Sequence, residues 1–243
     1  MPGYILHLTE ANRIVRKLNQ KGIYPPDAWI NAFCLGCLLP DTRKKKEKIT
    51  SHFWDPSTLD REPIPPDLNR FLSLYRKQLT GPLMLGYWVH LHLDERYVQD
   101  FWGKVFEFRD AKGNAVDRRD QIDSVWLKKK QKSITLQEMF SSAYYYGDYT
   151  RMNASLVKRF GLKPPVYEPV DCPVKEVDPA DLQQVLEELE WILARQEEAA
   201  REELQVFELE ELVQFVEETA DQVLPMILRD FGKNLKMEGE DHD

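Results

Sequence analysis

Apolar residues recur along most of the chain at intervals of three and four, the spacing of a helix with one buried face. Thr9 can cap a first helix running through Gln20, which Gly22 then ends. The segment YPPDAWINAFCLGCLL puts Pro26 at a first helical position and runs to Leu39, with Pro40 as its stop. PPDLNRFLSLYRKQL repeats the device with Pro66. Thr80, Gly81 and Pro82 open the next segment, residues 82–102, in which Gly86 is the lone breaker before Gly103. Its centre, His90-Leu91-His92-Leu93-Asp94, alternates like a strand, but the uninterrupted run far exceeds a usual strand of about five or six residues. Leu83, Leu85, Trp88, Val89, Leu91 and Leu93 then cover its whole circumference, so it is a buried, central helix.

Residues 103–134 are the least regular, with DAKGNAVDRRDQ reading as a polar loop. Thr135 and Glu138 form a capping box, and DYTRMNASLVKRFG gives a helix ending at Gly161. The proline-rich LKPPVYEPVDCPVKEVDP is an extended connector. Beyond it Asp178-Pro179 caps a last helical region with apolar faces at Leu182, Val185, Leu186 and Leu189 and, after RQEEAAREE, at Leu204, Phe207, Leu212 and Phe215. This region is either a helical hairpin on the body or an acidic arm for a partner. The expected class is all-α, with a helical domain over 1–165, a connector over 166–178 and acidic helices over 179–243.

Composition narrows the picture. Of the 243 residues 42% are hydrophobic and 11% aromatic, which excludes a disordered chain and supplies a real core. No apolar run reaches 18 residues, and Met1-Pro2-Gly3-Tyr4 leads into no basic and apolar leader, so the expectation is a cytoplasmic protein without a membrane span. Three cysteines argue against a disulfide framework, and Cys34-Leu35-Gly36-Cys37, lacking a second pair, reads as buried helical thiols. The net charge of −8 is divided: residues 176–243 hold 5 Lys and Arg against 21 Asp and Glu, leaving residues 1–175 at +8.

On a helix, His90 and Asp94 lie one above the other while His92 points about 200° from His90. Such a pair can bind a metal, or it can be a His–Asp hydrogen bond within the bundle. The five histidines are His7, His52, His90, His92 and the tail residue His242, and His7, His52 and His90 sit in the apolar settings YILHL, SHFW and WVHLH. With Asp41, which closes CLGCLLPDT, they give His7, Asp41, His52, His90 and Asp94 from four segments. A two-metal hydrolytic site in a helical bundle is supplied in that way.

The series ILHLTEANRIVRKLN, NAFCLGCLLPDT, SHFW and GYWVHLHLDERY resembles the zinc-dependent phospholipase C family, whose all-α fold is shared with S1/P1-type nucleases. The resemblance covers roughly residues 4–102. It implies that Asp41, His52, His90 and Asp94 bind one zinc and that Asp94 bridges to a second, also held by His7. His92 matches no ligand position. The chain departs from the family where a third zinc needs further histidines: Asp100 stands at the first such place, and no histidine lies between His92 and His242. Asp100 and Asp148 are the carboxylates that can substitute, as ligand or general base, beside Asp94.

The functional expectation is a zinc-dependent phosphoric ester hydrolase, acting through a zinc-activated water on a phosphodiester or other anionic phosphate, with manganese or iron as alternative metals. Arg43, Lys44, Lys45, Lys46 and Lys48 lie between Asp41 and His52, where they favour an anionic substrate. RRDQIDSVWLKKKQK is a second basic cluster, suited to nucleic acid or to docking the acidic helices. The alternative is a non-catalytic helical protein whose metal stabilises the bundle and whose acidic helices bind a partner. An HD-type phosphohydrolase ranks last, because His242-Asp243 is the lone contiguous His-Asp pair.

Overall fold

The segment that the sequence requires to be apolar all round is the centre of the molecule. The computed structural model describes residues 2–43, 47–199 and 202–237. Helices α1 (Tyr4–Gln20), α2 (Asp27–Gly36), α3 (Lys48–Ser51) and α4 (Leu68–Tyr75) precede α5 (Pro82–Arg96), in which every residue from Leu83 to Asp94 is buried. After Arg96 the helix widens into a π-helical stretch, Tyr97–Trp102, and closes with a single turn, α6 (Gly103–Val105).

Two glycines let α2 and α5 touch backbone to backbone. A Cβ on Gly36 would stand 2.1 Å from the Leu83 carbonyl oxygen, and one on Gly86 2.1 Å from that of Phe33. No side chain fits there, and the contact sets the spacing of the elements that carry the polar cluster described below. Past Gly36 the chain tightens into a 3-10 turn, Leu39–Thr42, with Pro40 near its start. The second helix therefore ends three residues before the expected Leu39, and the turn delivers Asp41.

The first helix also differs from expectation. Thr9 lies inside α1, not at its start, and its hydroxyl donates to the Ile5 carbonyl (2.7 Å). A hydroxyl satisfied by the carbonyl four residues back has no capping task. The helix begins instead after Gly3, which brings His7 into it. Asp67, accepting from the Arg70 amide, caps α4 in place of the Pro66 device.

The fold is mostly helical, as expected, with one small sheet added. Within the region read as irregular, β1 (Phe106–Arg109), β2 (Ser124–Leu127) and β3 (Lys132–Ile134) form an antiparallel sheet in the order β1-β2-β3. Its alternation is short but real: Phe106, Phe108, Val125 and Leu127 are buried, and Phe106 meets the Trp102 ring at 4.6 Å. Thr135 and Glu138 make the expected capping box on α7 (Leu136–Met139), and α8 (Tyr145–Phe160) ends at Gly161 in the left-handed region (φ 62°).

Residues 162–178 contain no helix or strand. Asp178 accepts from the Ala180 amide before α9 (Leu182–Ala199), and α10 (Leu209–Met237) follows. α9 packs on α8 and α10 on α1. The acids of α10 and of the loop before it meet the basic body: Arg13 pairs with Glu217 (2.6 Å), Lys17 with Asp221 (2.5 Å), Arg159 with Glu210 (2.6 Å), Lys130 with Glu203 (2.6 Å) and Lys129 with Glu208 (3.1 Å). Each exposed pair contributes little, roughly 0–1 kcal/mol, so the apolar faces carry the docking and the charges orient it. Among the described residues no helix is long and apolar enough to cross a membrane.

The glycine contact predicts a sharp contrast between substitutions. Gly86→Ala should cost about 1–3 kcal/mol or more in a denaturant titration, since the added methyl meets backbone. Gly103→Ala, with open space around it, should be neutral or stabilising by up to about 1 kcal/mol.

Candidate metal centre

His7 from α1, Asp41 from the 3-10 turn, His52 following α3, and His90 with Asp94 from α5 converge on one buried spot, none of them more than 8% exposed. The Nε2 atoms of His52 and His90 are 3.3 Å apart. One Asp94 oxygen, Oδ2, lies 3.4 Å from His52 Nε2 and 3.5 Å from His90 Nε2, and the other, Oδ1, lies 3.6 Å from His7 Nε2. Asp41 Oδ1 is 3.5 Å from His52 Nε2. The His7 and His90 rings stack at 3.6 Å with 6° between their planes.

The hydrogen bonds behind these rings fix their tautomers. His90 Nδ1 lies 2.7 Å from the Cys37 carbonyl oxygen, which can only accept, so Nδ1 carries the proton. His52 Nδ1 lies 3.0 Å from Ser51 Oγ, whose own proton goes to the Pro40 carbonyl (2.8 Å), so this Nδ1 is also the donor. When both rings are neutral they aim two Nε2 lone pairs at each other, with two carboxylates beside them. Such a set of acceptors is repulsive unless a cation lies among them, and an imidazole tied through its far nitrogen to a carbonyl or hydroxyl is the usual form of a metal ligand.

The donors form two groups that share His90: His7, His90 and Asp94 in one, Asp41, His52 and His90 in the other. Among the described residues neither oxygen of Asp94 nor either nitrogen of His7 has a hydrogen-bond partner. These residues fit a metal ion, and by their imidazole and carboxylate chemistry they fit zinc, manganese or iron.

Protonation in the metal-free protein follows from burial and charge. Burial, with the neighbouring His90, pushes His7 down to about 3, and burial also lowers His52. His90 is raised despite burial, because Asp94 and Asp41 favour its charged form. Burial would raise both aspartates, but Lys48 and the histidines hold Asp41 well below the usual carboxylate range, and the histidines lower Asp94.

The other residues expected at the site take different positions. His92 is buried on the far side of α5 beside Trp88, with ring centroids 5.8 Å apart, and belongs to neither donor group. Asp148 is buried, but its oxygens accept from the Gln205, Val206 and Phe207 amides (2.7–3.1 Å) and from Arg151. It holds the loop between α9 and α10. Asp100 pairs with Arg96 in the π-helical stretch and is absent from both groups. Lys44, Lys45, Lys46 and His242 lie outside the described residues.

Lys48, from the same basic loop, pairs directly with Asp41. Two further features escaped the sequence reading. Glu10 is fully buried with neither oxygen hydrogen-bonded, and burial with the Asp94 charge raises its pKa well above the carboxylate range. Tyr97, Tyr145 and Tyr149 share a chain of hydroxyl contacts at 3.0–3.4 Å. A cleft of about 380 Å³ ends against Asp41 and Lys48, with Tyr4, Tyr146, Tyr149 and Asn153 among its walls. Comparison with protein-family models, with curated proteins and with solved structures found no match to this chain.

His90→Ala should remove bound metal in elemental analysis, whereas His92→Ala should largely keep it. The pH dependence has a definite sign. His90 holds its proton above the ordinary imidazole pKa, and an incoming metal must displace it. Metal affinity should therefore rise with pH across the neutral range and fall on acidification, and calorimetry in buffers of different ionisation enthalpy should detect proton release.

Proposed function

We propose that the chain is a metal-dependent hydrolase of the phosphoesterase class, binding two zinc ions and acting on a phosphodiester or related anionic phosphate. The observation that carries the reading is the opposed Nε2 pair of His52 and His90, locked by Ser51 and Cys37, beside an Asp41 that an open cleft reaches. Asp41, His52, His90 and Asp94 would hold one ion, and His7 with the second Asp94 oxygen would hold the other. This is the ligand order implied by the resemblance to the zinc-dependent phospholipase C family. Ions so held lower the pKa of water and stabilise charge on a phosphoryl group.

The chain's own groups supply binding and orientation. Lys48 stands at the junction of cleft and centre, where its ammonium can meet a phosphate oxygen while still neutralising Asp41. Asn153 offers a neutral donor along the same wall, beside Tyr149, whose hydroxyl burial keeps protonated and which donates to Tyr97. Asp94 faces His7 with one oxygen and His52 and His90 with the other, the disposition of a bridging carboxylate. Asp148 and Asp100 are not retained as bases, because their oxygens are engaged elsewhere. Within the substrate class a small phosphate ester is favoured over nucleic acid, since Lys129 and Lys130 of the second basic cluster are already paired with Glu208 and Glu203.

A second reading, a metal-stabilised bundle without catalysis, is favoured by the depth of burial of every donor. Structural sites are closed, and catalytic ones keep an open position. The cleft reaching Asp41 tips the balance toward catalysis.

The test is a screen of metal-reconstituted protein against phosphomonoesters, phosphodiesters and phospholipids. Turnover should vanish on chelation, return with metal, and drop more than about 100-fold in Asp94→Asn. Stoichiometric metal without turnover on any class would favour the structural reading, and unchanged activity in Asp94→Asn would defeat the assignment.

A further inference from the structure

The start of α1 forms one wall of the cleft. Gly3, Tyr4 and Ile5 line that cavity of about 380 Å³ together with Lys48 and Asn153. The first amides of a helix have no partner within it. Those of Leu6 and His7 donate back to the Gly3 carbonyl (2.9 and 3.4 Å), while those of Tyr4 and Ile5 have no acceptor among the described residues. Gly3 brings no side chain as a cap, and the first turn holds no acid. The positive end of a 17-residue helix is thus left open on a cavity.

A second observation points the same way. Asn153, on α8 where it packs against α1, is 7% exposed, and its side-chain amide makes no hydrogen bond among the described residues. A primary amide so far out of water, with neither donors nor acceptor engaged, costs the fold stability unless the cleft holds a group that it can bind. Lys48 adds a charge. Its ammonium carries three protons, so the pair with Asp41 leaves it capacity for another acceptor. The Asp41 carboxylate also borders the cleft, and that pair offsets its charge. What helix amides, a side-chain amide and an ammonium share as a ligand is a compact oxyanion.

We propose that this end of the cleft is an oxyanion subsite, in which a phosphoryl group lies among the free amides of Tyr4 and Ile5, the Lys48 ammonium and the Asn153 amide. It deepens the phosphoesterase reading and rests on it for the choice of phosphate, but its donors belong to the chain and need no metal. One helix then serves both halves of the site. His7 follows Gly3 by four residues, about 6 Å along the axis, so α1 offers amides to the anion and an imidazole to the metal centre on a single rigid element.

The experiment uses the full chain, zinc-loaded and chelator-treated, with inorganic phosphate as the probe. Binding is read from phosphorus NMR line broadening and from the rise in melting temperature, and zinc is counted in the same samples. Gly3 has open space around it and an extended backbone (φ −98°, ψ 173°), so an aspartate there can cap the helix with its own carboxylate. Gly3→Asp should melt at or above wild type yet bind phosphate at least about 10-fold more weakly, because the new carboxylate takes the amides and repels the anion. Gly3→Ala leaves the amides free and should bind within about 2-fold of wild type. Asn153→Leu should weaken binding by about 3- to 10-fold. Competition by dimethyl phosphate would make a diester the occupant, and failure to compete a dianionic monoester or free phosphate; either supports the subsite. Phosphate binding left unchanged by Gly3→Asp would overturn it, as would the absence of binding to wild type in both forms. A chain that binds phosphate in this pattern but holds no zinc would keep the subsite and sink the metal reading. A chain that holds zinc and hydrolyses phosphoesters, with phosphate binding indifferent to Gly3→Asp, would do the reverse.

Discussion

The bond from His90 Nδ1 to the Cys37 carbonyl is the interaction on which the rest depends. It exists because Gly36 and Gly86 let α2 and α5 approach until only backbone separates them. That approach brings the end of α2 level with the next turn of α5. The carbonyl that caps the ring from behind also decides which nitrogen faces forward, so a packing constraint becomes a statement about lone pairs. Ser51 does the same for His52, and Tyr87, donating to the Ser51 carbonyl at 2.6 Å, ties that segment to α5.

The consequence is an electrostatic arrangement that the protein's own groups relieve only in part. Two imidazole lone pairs and two carboxylates meet in a region that excludes water, where an unpaired charge costs several kcal/mol (~) even after relaxation. Lys48 relieves Asp41 and, in the metal-free protein, a proton held on His90 relieves Asp94 in part. Neither reaches His7 or Glu10. A fold selected for stability alone would fill these positions with apolar side chains of similar volume, as it does over the rest of α5. The acidic helices answer a different charge problem: their carboxylates neutralise the basic body, and Asp148 gathers the amides of the loop between them.

Much of this was legible in the sequence, for identifiable reasons. The helix period around His90 and Asp94 was long enough to overrule the local alternation, and the apolar settings of His7 and His52 marked them as inward-facing. The sheet was not legible because its strands are three or four residues each, too short for alternation to stand out beside a polar loop. Glu10 was missed through one local error. With Thr9 taken as a helix cap, His7 fell outside the helix, and the buried position of Glu10 inside it was not legible. Asp148 was expected as a ligand or base, whereas its partners come from about 57 residues further along the chain, a distance no local pattern spans.

The most direct test of the account is anomalous X-ray diffraction at the zinc edge from crystals grown with zinc. The account predicts strong anomalous density between the Nε2 atoms of His52 and His90 and the Asp94 carboxylate, with a second peak adjoining His7. Density confined to surface residues, with His52 and His90 sharing only a proton, would contradict it.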